Sequence, residues 1–134
     1  MKVLVIDTVG NEGFYEGYTK YFPGVKITGH EPKRGLGMPH PHGFQCGYYA
    51  GVLLSLLPAD QTRELCFARI FDADAMALEG SMDWLLEVIR ESRPDVISRS
   101  WGLWDSDNPR GDMTGRVAYG AWTEKYRALQ AELG

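Results

Sequence analysis

Two residues in this 134-residue chain have the type and setting needed to move a proton. Asp7 closes the apolar run Val3-Leu4-Val5-Ile6, and a carboxylate at the end of a buried strand is costly unless it is hydrogen-bonded or put to use. Two uses are open to it: capping its own turn through the Thr8 or Val9 amide, or orienting a catalytic base. His42 follows Pro41 and precedes Gly43 at the head of a long apolar stretch, so a tight turn delivers its imidazole to a helix start. An imidazole held by a carboxylate is the general acid–base part of a nucleophilic relay, which lacks only a nucleophile.

Other chemistry-bearing residues point elsewhere less well. The pair His40-x-His42 is weak as a metal site without nearby thiols or a third ligand. Cys46 and Cys66 fall in an expected helix and an expected strand with no close spacing, and read as buried free thiols of a reducing compartment. No metal site is assigned. Asp7, Asp72 and Asp74 at one sheet rim could gather Mg²⁺, but a paired acid beside Asp7 and a late lysine are missing. The run from Asp105 through Asp107 to Asp112 does not keep the spacing of an EF-hand loop and reads as a solvated turn.

The elements that must position Asp7 and His42 alternate along the chain. Residues 2–7 are expected as a strand, 12–22 as a short helix or turn ending at Pro23-Gly24, and 25–28 as a brief strand. Residues 31–41, rich in proline and glycine, read as loop. From Gly43 to Leu57 apolar residues occupy every side, which predicts a helix buried all round and stopped by Pro58. A strand over 64–71, a helix over 81–91 terminated at Arg93-Pro94, a strand over 95–101 and a helix over 116–133 follow. Ser81 reads as the N-cap of its helix. This alternation predicts an α/β fold, a parallel β-sheet with helices on both faces. Right-handed crossovers are expected, with Asp7, Asp72 and residues 100–104 on the ligand-binding rim.

Composition narrows the partners. The net charge of −4 argues against nucleic acid or an anionic membrane. No apolar run reaches the roughly 18 residues of a membrane span, and Asp7 interrupts the only early candidate for a signal core. A cytoplasmic protein is the expectation.

Four segments then resemble one family in order and spacing. Val5-Ile6-Asp7-Thr8-Val9-Gly10 and His42-Gly43-Phe44-Gln45-Cys46-Gly47 are similar to the aspartate and histidine boxes of subtilisin-like serine proteases. Ala68 to Asp74 resembles the family strand that ends in an aspartate turn, and Pro94 to Gly102 resembles its D-V-I-N-M-S-L-G segment. The resemblance covers residues 2 to about 104. It implies the N-terminal half of a subtilisin-like fold, one partial domain over 1–134. Asp7 and His42 become its triad members, and Ser100, Trp101, Gly102 and Leu103 its substrate-binding segment, which takes an extended peptide. No cofactor is expected beyond the Ca²⁺ that the resemblance allows.

The chain departs from the family where the second histidine of its H-G-T-H box is Gln45 and the threonine is Phe44. Phe44 and Trp101 suggest a narrowed substrate cleft. The nucleophilic serine and the oxyanion asparagine are not found, since Ser81 stands at a helix start. The resemblance therefore implies a partner, a C-terminal serine-bearing half supplied as a separate chain or a further segment. Together the two would hydrolyse a peptide or protein substrate, and the chain alone would not. The apolar strand 96–100 is expected at an interface. The alternative is a non-catalytic scaffold that keeps the fold for peptide binding.

Overall fold

The computed structural model describes residues 1–8, 12–30, 41–70, 81–99 and 124–133. They fall in two units, Met1–Ser100 and Trp101–Gly134. The first contains β1 (Lys2–Asp7), α1 (Glu12–Tyr21), β2 (Lys26–His30), α2 (Pro41–Ser55), β3 (Glu64–Arg69), α3 (Ser81–Ser92) and β4 (Val96–Ser98). In the second, residues 124–133 form a helix, α4.

The four strands make one all-parallel sheet in the order β2-β3-β1-β4. The apolar strands β1 and β3 are central and buried on both faces, as their continuous apolar runs require. Asp7 lies opposite Arg69 at the end of their ladder. Short β4 is held to β1 by Asp95, whose backbone N–H donates to Lys2 O at 2.8 Å and whose Oδ2 accepts from Lys2 N–H at 2.7 Å. Arg93, at φ 46°, ends α3 in the left-handed region, and its N–H caps Ile89 O at 3.0 Å.

Side chains alternate between two cores. Val3, Val5, Leu65 and Phe67 pack with Tyr18 and Phe22 from α1 and its exit, and with Ala50 and Leu54 of α2. Leu4, Ile6, Cys66 and Ala68 point to the other face and are as deeply buried. The buried stripe of α3, Leu85, Val88 and Ile89, stands apart from the α1–α2 cluster. Helices α1 and α2 cover the first of these faces.

Right-handed crossovers throughout do not fit this arrangement. The chain travels from β1 past β3 to β2, then back one place to β3, while α1 and α2 pack on the same face. Two crossovers in opposite directions over one face have opposite hands, so one of them is left-handed, where about 98% of such connections are right-handed. The shared anchor is Phe67, against whose ring Phe14, Tyr15 and Tyr18 of α1 stack with centroids 5.2–5.9 Å away. Sending either helix to the opposite face would divide this cluster. The shared rim does not depend on crossover hand, because parallel strands place all their carboxyl ends on one side.

Helix α2 is not buried all round. Its buried face is Gly43, Gly47, Ala50, Gly51 and Leu54, whereas Tyr49, Leu53 and Leu56 are 67–77% exposed. Small residues at every fourth position let the helix sit close on Phe67 and Phe22, which turns its bulky residues outward. An open cavity of about 670 Å³ separates that outer side from the sheet end, lined by Tyr49, Ala50, Leu53, Leu57, Val96 and Ile97 among others. Val96 is 44% exposed at the end of the sheet among the described residues.

Candidate active site

Parallel strands β1 and β3 end side by side at one rim, with Asp7 opposite Arg69. In open parallel sheets, ligands bind at the carboxyl ends of the strands. Asp7 stands there at 1% exposure. It belongs to the β1 face that α2 covers, so the first turn of α2 reaches it.

His42 Nδ1 lies 2.9 Å from Asp7 Oδ1, with the His42 side chain 44% exposed and that of Asp7 1%. An ionised carboxylate only accepts, so Nδ1 carries the proton and Nε2 keeps the lone pair. One side of the imidazole is anchored on the buried carboxylate, and the His42 side chain is 44% exposed. Asp7 also serves its own turn: Oδ1 accepts from Thr8 N–H at 2.8 Å and from the Thr8 hydroxyl at 3.1 Å. A single oxygen of Asp7 therefore both caps its own turn and contacts the His42 ring. Its other oxygen, Oδ2, is buried without a hydrogen-bond partner.

Thr8 is a residue that the sequence did not single out. Its hydroxyl donates to Asp7 and accepts from the buried Gly43 N–H at 3.0 Å, which ties the first turn of α2 to the end of β1. The signal was its position beside Asp7, but a threonine after a strand is too common to stand out. Replacing Thr8 with valine is expected to cost about 1–3 kcal/mol, because it leaves a buried N–H without an acceptor, whereas serine restores most of the loss. Urea unfolding of the three proteins measures this.

A second tie comes from α1. The Tyr18 hydroxyl donates to Phe44 O, one turn into α2. Burial pushes the Tyr18 hydroxyl well above its ordinary range, with the neighbouring Cys46 adding to the shift, so it remains a protonated donor. Phe44 packs edge-on against Phe14 and Tyr18, with centroids 6.0 and 5.5 Å apart. The bulky residue at this position thus braces α2 from the α1 side, although Phe44 remains 43% exposed.

Cys46 differs from the expectation of two buried thiols. Cys66 is buried, where its Sγ accepts from the Thr28 hydroxyl at 3.0 Å, but Cys46 is only half-buried. One helical turn after His42, its Sγ lies 3.9 Å from Nδ1 and 4.0 Å from Nε2. The i, i+4 spacing of His42 and Cys46 carried that signal.

The structure therefore brings Asp7 and His42 together. Ser100, Trp101, Gly102 and Leu103 lie outside the described residues, as do His40, Asp72, Asp74 and the acidic run from Asp105. Ser55 Oγ donates to Gly51 O at 2.8 Å and the buried Ser92 Oγ has no partner, so neither of these serines meets His42. No described helix is long and apolar enough to cross a membrane. Comparison with protein-family models, with curated proteins and with solved structures finds no significant match to the chain.

Proposed function

We propose that this chain is the aspartate- and histidine-bearing part of a subtilisin-like serine endopeptidase, the N-terminal half of that fold. The observation that carries this reading is the 2.9 Å contact between buried Asp7 and half-exposed His42 at the carboxyl rim of a parallel sheet. In peptide-bond hydrolysis His42 takes the proton of a serine hydroxyl through Nε2 as the oxygen attacks the carbonyl. It then returns that proton to the leaving amine. Asp7 holds the tautomer and stabilises the imidazolium that forms. The segment Ser100–Leu103 receives the substrate backbone as an added strand.

The nucleophile and the oxyanion asparagine come from a C-terminal half. The exposed apolar residues of α2 and β4 around the 670 Å³ cavity support this, since an uncovered apolar edge is a liability for a sheet. Free Cys46 and Cys66 suit a cytoplasmic, reducing setting.

The test is reconstitution. The chain is combined with a polypeptide carrying a G-T-S-x-A serine segment, taken from its downstream coding sequence or from a co-purifying chain. A fluorophosphonate probe should then label that serine only when both parts are present. Absence of any such serine segment, or labelling that does not require this chain, rejects the protease reading. A non-catalytic peptide-binding scaffold then takes its place.

A further inference from the structure

The first turn of α2 places an imidazole and a thiol side by side over a buried carboxylate. Asp7, His42 and Cys46 each offer a ligating atom, and the three atoms lie within 4.8 Å of one another. We infer that Cys46 Sγ and His42 Nε2 form a binding site for one thiophilic divalent ion of the Zn²⁺ class, with Asp7 as the outer carboxylate.

Distance is the first argument. Tetrahedral zinc, with bonds of about 2.3 Å to sulfur and about 2.0 Å to nitrogen, sets those two atoms about 3.6 Å apart. Sγ is 4.0 Å from Nε2 and 3.9 Å from Nδ1, so the Cys46 side chain must turn about its χ1 to bring the sulfur round to the Nε2 lone pair. The i, i+4 spacing fixes both side chains on one face of α2.

Orientation is the second. A metal-binding histidine commonly gives its other ring N–H to a carboxylate, which fixes the tautomer and raises the basicity of the ligating nitrogen. Asp7 Oδ1 holds Nδ1 in that way at 2.9 Å.

The third is charge. Asp7 is 1% exposed and holds the imidazole through Oδ1, while its Oδ2 has no hydrogen-bond partner. A cation on the far nitrogen of the imidazole is attracted by this carboxylate through the ring as well as by the Cys46 sulfur. Sulfur and nitrogen donors select zinc-like ions over Mg²⁺ or Ca²⁺. With two protein ligands and a half-exposed imidazole, the remaining coordination positions go to water or an added ligand.

This site needs no serine and does not rest on the protease reading. Were both to hold, an ion on Nε2 would occupy the lone pair needed for proton transfer, and bound metal would switch the relay off.

The experiment titrates Co²⁺ into the full-length, metal-free chain kept reduced with a phosphine, and follows the thiolate-to-cobalt charge-transfer absorption. Zn²⁺ is then added in competition. One ion per chain is expected, with the band bleached by Zn²⁺. Cys46→Ser should remove the band, and Asp7→Asn should keep it while weakening affinity about 10- to 100-fold. His40→Ala and Cys66→Ser should change neither. Absence of the band, its survival in Cys46→Ser, or its dependence on His40 or Cys66 overturns the site. Unchanged affinity in Asp7→Asn removes Asp7 from it. Circular dichroism of each variant separates loss of ligand from loss of fold.

Discussion

Under the proposed protease reading, replacing His42 with alanine is expected to lower kcat of the reconstituted pair by about 10⁶-fold, and replacing Asp7 with asparagine by about 10⁴-fold. The unequal sizes follow from the geometry. Without His42 no group takes the serine proton, and the surviving carboxylate lies too deep, at 1% exposure, to replace it. Asparagine at position 7 keeps the shape of the side chain, but its amide can donate where the carboxylate only accepts. Nδ1 can then be the acceptor, which moves the ring proton to Nε2 and removes the lone pair that must receive the serine proton. Some molecules hold the productive tautomer, so the loss is smaller. Peptide affinity should change little in either variant, because neither side chain belongs to the proposed strand-pairing segment. Single-turnover kinetics with a matched binding assay measure both quantities. Equal losses from the two substitutions would mean that Asp7 does more than orient the ring. No loss from His42→Ala would remove it from the relay.

Much of the fold was legible because burial writes a period into the chain. The two central strands β1 and β3 are continuous apolar runs, and the stripe Trp84, Leu85, Val88 and Ile89 marks α3. Strand order is a different kind of information. Nothing in a hydrophobic period says that the chain doubles back from β2 to β3, and the left-handed crossover that results was invisible. Burial of α2 was overestimated for a related reason. An apolar count cannot show that Gly43, Gly47 and Gly51 are the contact face, so that Leu53 and Tyr49 point outward. At the site, Asp7 and His42 stood out because a polar group at the end of an apolar run breaks pattern. Thr8 and Cys46 break no pattern, and their roles come from where the helix start meets the strand end.

That meeting point depends on Gly47, where valine is expected to destabilise the chain by about 3 kcal/mol. A Cβ at position 47 would lie 2.5 Å from Phe67 Cε1, 2.9 Å from its Cζ and 3.0 Å from Tyr18 Oη. The Phe67 ring is fully buried and hemmed in by the rings of Phe14, Tyr15 and Tyr18, so it cannot swing aside. Removing a glycine from a helix interior normally helps by up to about 1 kcal/mol, less for a β-branched residue, and that gain is too small to offset the clash. Gly17 provides the opposite case. A Cβ there meets nothing within 4 Å, so Gly17→Ala should stabilise by about 0.4–1 kcal/mol. Urea unfolding of the two variants separates propensity from packing. The strain at position 47 is relieved most simply by moving α2 away from the sheet, and α2 carries His42. A displacement of about 1 Å can cost about 10²-fold in rate, so reconstituted Gly47→Val should lose activity even where it is folded. Retained activity would show that the ties from Thr8 to Gly43 and from Tyr18 to Phe44 hold the start of α2 on β1 independently of the helix body.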